Sequence, residues 1–212
     1  MNQSYYHITL LRHGESVANA DSIWQGQTDF PLTDKGINQS RSLAVKWKEQ
    51  GTTFDQVISS PLTRARQTAE ILVDRLKLPV ELNPLWMERD IGKLSGLNRA
   101  EAETQFPRPA FIPLHMPFGE TGESHWDLYL RAGQAVQDLI RRQPGRYLVV
   151  SHGGLLNMVL YAVLGISPQA NFHGARFRFR NTAYANLVFN PAEHDWLLEC
   201  LNRRDHWQEE DK

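Results

Sequence analysis

Ile8-Thr9-Leu10-Leu11-Arg12-His13-Gly14-Glu15-Ser16 is the stretch from which the fold can be read. An apolar run ending in Arg-His-Gly is a buried strand. It delivers a guanidinium and an imidazole at its carboxyl end, where strands of an open α/β sheet present their ligand-binding groups. A second strand ends the same way far downstream: Tyr147-Leu148-Val149-Val150-Ser151-His152-Gly153-Gly154. Two strand-end histidines, each followed by glycine, predict a shared anion site with one ring as nucleophile.

Outward from these strands, the pattern alternates. Thr33 is the expected N-cap of a helix running to about Gln50 and stopped by Gly51. Phe54–Ser59 reads as a strand. Thr63–Leu78 reads as an amphipathic helix with Ala65, Ala69, Leu72 and Leu76 on one face, ended by Pro79. Val80–Leu82 is a short strand, Glu123–Arg142 a helix capped near Ser124, and Gly154–Leu164 a helix ended by Gly165. Ala175–Arg180 and Ala183–Phe189 alternate as strands at the sheet edge, the second able to pair across a two-fold axis. Arg176, Arg178 and Arg180 would then line the solvated face of a half-buried strand, with a substrate role as the lesser reading. Strands alternating with helices predict an α/β fold with a mostly parallel sheet.

Residues 92 to 123 differ, being rich in proline and glycine around PRPAFIPLHMPFGETG. A long irregular segment inside a compact domain is usually functional. With Phe106, Phe111, Ile112, Leu114, Met116 and Phe118, this one is too apolar for a linker and reads as an ordered lid. The tail NRRDHWQEEDK is polar and expected to fray.

Composition narrows the function classes. The chain has 212 residues, 41% hydrophobic and 22% charged, which suits a folded domain with a substantial core. A net charge of −1 argues against a nucleic-acid partner. Cys200 is the only cysteine, so no intrachain disulfide forms and a core role is expected. The N-terminus lacks the basic and apolar regions of a signal peptide, and no apolar run is long enough for a membrane span. Cytoplasmic localisation is the expectation.

Five side chains can share phosphoryl chemistry. His13, partly neutral near pH 7, can attack phosphorus through a ring nitrogen. Arg12 and Arg64 offer planar donor forks that match phosphate oxygens. Arg64 lies just after a strand and at a helix start, where backbone N–H groups add to the attraction. His152 supplies a further donor, and Glu88 in Trp86-Met87-Glu88-Arg89 is the candidate general acid for the leaving oxygen. Two arginines near His13 disfavour its imidazolium. The other histidines show no metal-ligand spacing, although His115 in the lid is within reach of substrate. Trp24, beside Gln25-Gly26, is the tryptophan expected at the pocket mouth.

These blocks resemble the histidine phosphatase superfamily, the phosphoglycerate-mutase-like enzymes. Leu11-Arg12-His13-Gly14-Glu15-Ser16, with Asn19 three further on, resembles that family's signature. Gly26–Gly36 (GQTDFPLTDKG) resembles its second block and Ser59–Ala69 (SSPLTRARQTA) its third. Glu88, Gly122-Glu123-Ser124 and Ser151-His152-Gly153 follow in the family's order. The resemblance spans about residues 7 to 190. It implies a three-layer α/β/α sandwich, one domain over residues 1–212 with a lid insertion at about 92–123. It makes His13 the phosphorylated residue, Arg12, Arg64 and His152 the phosphate pocket, and Glu88 the proton donor. It adds Asn19, Gln25, Gly26 and Gly153 as phosphate or substrate contacts, and implies no metal and no organic cofactor.

A phosphohistidine can pass its phosphoryl to water or to a second substrate hydroxyl. Arg99 in Leu97-Asn98-Arg99-Ala100-Glu101 stands where mutases carry a lysine for the substrate carboxylate. Mutases also carry a longer insertion with adjacent arginines, whereas the proline-rich stretch here has only Arg108. A bisphosphate intermediate needs more cations than that. The expectation is a phosphatase acting on a small phosphorylated metabolite, as monomer or homodimer, with no membrane or nucleic-acid partner. The alternative is a 2,3-bisphosphoglycerate-dependent phosphoglycerate mutase. A protein phosphohistidine phosphatase or a non-catalytic interaction module stands behind both.

Overall fold

The computed structural model describes residues 5–76 and 78–207. In chain order the elements are β1 (Tyr6–Arg12), α1 (Val17–Ala20), α2 (Asp34–Glu49), β2 (Gln56–Ser59), α3 (Thr63–Leu76) and β3 (Val80–Leu82). They continue with α4 (Arg99–Gln105), α5 (His125–Ile140), β4 (Arg146–Ser151), α6 (Gly153–Val163), β5 (Tyr184–Asn190) and β6 (Asp195–Arg203). The sheet order is β3-β2-β4-β1-β5-β6. The first four strands in that order run parallel, while β5 is antiparallel to β1 and β6 antiparallel to β5. The mostly parallel α/β sheet is as expected.

The layers follow from the two-residue period of the strands. Ile8, Leu10, Ile58, Tyr147 and Val149 pack on one face with Leu128, Ala132, Ala135 and Leu139 of α5 and Leu155, Leu156 and Val159 of α6. Leu11, Val57, Leu148 and Val150 pack on the other with Leu43, Ala44 and Trp47 of α2 and Ala65, Ala69 and Leu72 of α3. The side chain of Leu76, expected on that inner face, lies outside the described residues. Thr33 caps α2 by accepting from Gly36 N, and Ser124 caps α5 in a reciprocal box with Asp127.

Three expectations are corrected. Ala175–Arg180 forms no strand. Side chains take up its backbone groups instead. Tyr161 donates to the Ala175 carbonyl, Asn157 Oδ1 accepts from Phe177 N, and Arg12 donates to the Phe179 carbonyl. Phe177 and Phe179 still turn into the core, which is why the segment alternates without a partner strand. Nor does Ala183–Phe189 lie at the edge, because β6 covers β5 and the edges are β3 and β6. That strand is therefore not open to pair across a two-fold axis, as an edge position would have allowed. Finally, the tail is not free up to Trp207. Asn202 and Arg203 end β6, His206 is buried against Thr182 Oγ1 at 2.9 Å, and Trp207 Nε1 donates to the same hydroxyl. Residues 208–212 lie outside the described residues.

Residues 92 to 123 are more ordered than their composition suggests. They contain α4, capped by Asn98 in a box with Glu101. Leu94, Ala102, Leu97, Phe106 and Phe118 join Ile91 in a small apolar cluster of their own. No helix among the described residues is long and apolar enough to cross a membrane.

Candidate active site

Strand register assembles the site. Arg12 of β1 lies opposite Ser151 of β4, and Ser59 of β2 opposite Val150. One residue further, His13 N donates to the Ser151 carbonyl and Ser60 N to the Val150 carbonyl. His13, His152 and Ser60 are thus brought side by side, with the two imidazole centroids 5.0 Å apart. The turn after His13 packs backbone against backbone on the first turn of α2. A Cβ on Gly36 would lie 2.0 Å from the Glu15 carbonyl oxygen, and one on Gly14 2.6 Å from that of Gly36. Only glycine fits either place.

The ring partners bear on each tautomer. His13 Nδ1 lies 2.6 Å from the Gly14 carbonyl. A carbonyl only accepts, so Nδ1 carries the proton and Nε2 the lone pair. His152 Nε2 lies 2.8 Å from Ser60 Oγ, which already accepts from Leu62 N. A hydroxyl keeps a second lone pair, so either ring nitrogen can carry the proton; the tautomer in which Ser60 donates to Nε2 places it on Nδ1. Both imidazoles are held well below their usual titration range, first by burial and next by Arg64. The expected arginine effect on His13 is real but second to desolvation.

Arg64 is 1% exposed. Its Nη1 donates to the Thr28 carbonyl and its Nη2 to that of Gly26 at 2.7 Å. Burial lowers it to about 10, so it stays charged at neutral pH. Asp29 accepts from Thr63 N and Oγ1 at the start of α3, which ties the second sequence block to the third. Arg12 donates to the Phe179 carbonyl. Three nitrogens of this group, Arg12 Nε, Arg64 Nε and His152 Nδ1, are buried and without a hydrogen-bond partner among the described residues. Buried donors are normally paired. A set of three beside a neutral imidazole has the chemistry to receive an anion.

Glu88 closes the set. Its Oε1 accepts from Arg89 N and Leu155 N, and its Oε2 from Gly154 N at 3.0 Å. The carboxylate therefore sits on the N-terminus of α6, two residues past His152. A Cβ on Gly154 would come within 2.5 Å of Oε1, so a larger residue there would push the carboxylate aside. Oε2 holds one N–H bond and has room for a proton.

The outer contacts are less uniform. Asn19 Oδ1 accepts from Asn181 Nδ2, which also donates to the His13 carbonyl. Gln25 Oε1 accepts from Ser16 Oγ, so that side chain holds the loop, while Gly26 serves Arg64 through its carbonyl. Gly153 lies beside the Arg12 guanidinium. Arg99 is not brought to these residues: it lies exposed on α4, paired with Glu103. His115 is exposed and packs on Trp126, and Trp24 is exposed beside Phe118. No group of three or more His, Cys, Asp or Glu among the described residues is arranged to hold a metal ion.

Several supporting residues escaped the sequence reading. Ser60 and Thr68 lie within the third block, but nothing in the sequence distinguished their hydroxyls. Thr68 Oγ1 accepts from Gly14 N and donates to the Arg64 carbonyl. Asn181 and Arg131 gave no signal. Arg131 grips Glu123 through Nε and Nη2, and donates to the Leu85, Met87 and Glu88 carbonyls. All five donors are used, and they fix the chain on which Glu88 sits. Arg131→Met is expected to lower stability by about 3 kcal/mol, the scale for breaking a largely buried pair. Urea unfolding measures this, and a change below about 1 kcal/mol would contradict it.

Three histidines make stability depend on pH. His13 and His152 are held well below the usual range, and burial, with Arg89 second, lowers His125 to about 4. In the unfolded chain each titrates near about 6.5. Below that value the unfolded state binds more protons, so stability is lost as pH falls from about 6.5 toward 4. The urea midpoint at pH 5.5 is expected to lie below that at pH 7.5, and an equal or higher one would contradict the burial of neutral rings.

Paired strand-end histidines beside the buried Arg64 and the half-buried Arg12 are suited to a phosphate-handling class of α/β protein. The chain belongs to the histidine phosphatase superfamily (branch 1), whose model matches residues 8–203. It is 34% identical over 206 residues to the probable phosphoglycerate mutase GpmB of Escherichia fergusonii, with 94% of each chain covered. It is 29% identical over 199 residues to the uncharacterized phosphatase PhoE of Bacillus subtilis, covering 94% of this chain and 95% of that one. Among solved structures, a putative α-ribazole-5′-phosphate phosphatase from Escherichia coli superposes with a TM-score of 0.81 at 26% identity, covering 94% and 97%.

Proposed function

We propose that this protein is a phosphomonoester phosphatase that works through a phosphohistidine on His13. The observation that carries the reading is the trio of unpartnered buried donors around a neutral His13. The Nε2 lone pair attacks phosphorus and the bond to the leaving oxygen breaks. Arg12, Arg64 and His152 Nδ1–H receive the charge that develops on the phosphoryl oxygens. Glu88 delivers the proton to the leaving oxygen from Oε2. Water then attacks phosphorus, gives its proton to Glu88, and returns Nε2 with its lone pair. Asn19 and Gly153 border the phosphoryl group, and the substrate is a small phosphorylated metabolite.

The fate of the phosphoryl group is read from the lid. Its cations are all engaged: Lys93 with Glu120, Arg99 with Glu103, and Arg108 with the Asn171 carbonyl and the Phe172 ring. None within the lid, where mutases carry their adjacent arginines, is left to hold a second phosphate, which favours water as acceptor over a substrate hydroxyl. Relatives bear both names, phosphatase and mutase. Phosphate release from a panel of phosphomonoesters, beside a coupled 3-phosphoglycerate to 2-phosphoglycerate assay with and without 2,3-bisphosphoglycerate, decides between them. Release with negligible isomerisation supports the phosphatase. Bisphosphate-stimulated isomerisation outrunning release would make the chain a mutase.

Glu88→Gln keeps the shape and removes the proton. It is expected to slow alkyl phosphates about 10²- to 10³-fold and p-nitrophenyl phosphate far less, because a good leaving group needs no acid. Equal slowing of both would remove the role.

A further inference from the structure

The segment carrying Arg178 and Arg180 is built onto the phosphate pocket. The Phe179 carbonyl between them accepts from Arg12, Asn181 donates to the His13 carbonyl and to Asn19, and Thr182 N donates to the carbonyls of Arg12 and His13. Phe179 is buried, while its two neighbours are open to solvent, Arg178 exposed and Arg180 half-buried. Arg180 N donates to Asn202 Oδ1, which brings the end of β6 alongside. Arg204 follows there, its guanidinium 4.8 Å from the Trp207 ring and its Nη1 buried without a hydrogen-bond partner.

Among the described residues these cations lack acids: none of the three forms a salt bridge, and the adjacent Asp205 is taken by Arg203. Arg178 and Arg204 both depress Arg180, and Arg178 depresses Arg12, so like charges lie close together. In a chain of net charge −1, such a grouping is local and not a general basic excess. Unpaired guanidiniums held together cost free energy that an anion recovers.

We propose that Arg178, Arg180 and Arg204 form a second anion site on the rim of the phosphate pocket, holding a second anionic group of the substrate, a carboxylate or a further phosphate. This rests on the phosphatase reading, since a phosphoryl group seated at His13 brings the rest of the substrate to this rim. It identifies the substrate class as a phosphomonoester whose leaving group is itself an anion.

The test compares the full chain with Arg178→Gln/Arg180→Gln on phenyl phosphate, 3-phosphoglycerate and fructose 1,6-bisphosphate. The preference of kcat/KM for a doubly anionic substrate over phenyl phosphate is expected to fall about tenfold, carried by KM, with Arg178→Lys/Arg180→Lys keeping most of it. Loss on 3-phosphoglycerate alone would identify a carboxylate, and loss on the bisphosphate alone a second phosphate. Equal effects on all three substrates, or none, would overturn the site. Calorimetric binding of the same three compounds to His13→Ala, with and without the arginine substitutions, keeps the two claims apart. If the wild-type chain releases no phosphate, the phosphatase reading fails, while a selective loss of affinity for the double anions still upholds the second site. No selective loss removes it.

Discussion

His13→Ala is expected to lower phosphate release by at least about 10⁴-fold, the scale of losing a covalent nucleophile. Nothing nearby can replace it. Ser60 Oγ is committed to His152 and Leu62, Thr68 Oγ1 to Gly14 and Arg64, and Ser16 Oγ to Gln25. Cys200 lies on β6, with burial raising its thiol above the usual range. The substituted protein should keep its fold, because the side-chain bond lost is only to the adjacent Gly14 carbonyl. Circular dichroism checks the fold and steady-state phosphate release checks the rate. Retention of most activity in a folded protein would sink the nucleophile assignment.

The second large effect is expected at Arg64. Its guanidinium joins the Gly26 and Thr28 carbonyls of one loop while its Nε is left for an anion. Arg64→Ala removes a buried charge from the transition state and should cost about 10³-fold in kcat/KM, the low end for an arginine on a transferring phosphoryl group. Arg64→Lys should recover little of it, because an ammonium cannot span two carbonyls and an oxyanion in one plane. Orthovanadate inhibition gives a second readout, since both variants should need far more of it than the wild type. A lysine variant close to wild type in both assays would reduce Arg64 to a generic charge.

Much of this was legible because strand register is a local rule. Once Leu10-Leu11 and Val149-Val150 are read as neighbouring parallel strands, Arg12, His13 and His152 must meet at their carboxyl ends. Thr33 and Ser124 announced their helices by the same local logic. What the sequence hid depended on distant partners. Arg131 looks like any helix arginine, yet it holds the chain under Glu88 through contacts 43 to 46 residues away. The alternation Phe177-Arg178-Phe179-Arg180 signals a strand, but side chains of β1 and α6 occupy its backbone groups. Strand β6 escaped because Leu197 and Leu201 stand on its exposed face, alternating with the half-buried Trp196, Leu198 and Cys200, so its alternation is hidden in the sequence. Arg99 resembled a substrate contact by position in a motif, and its helix turns it to solvent against Glu103.

The most direct measurement is rapid quenching of the wild-type chain with a ³²P-labelled phosphomonoester, followed by peptide mapping in mild alkali. A phosphoryl group on the peptide containing His13, stable to alkali, lost in acid and absent from His13→Ala, is the predicted result. Turnover with no labelled enzyme at any quench time, or label on another residue, would contradict it.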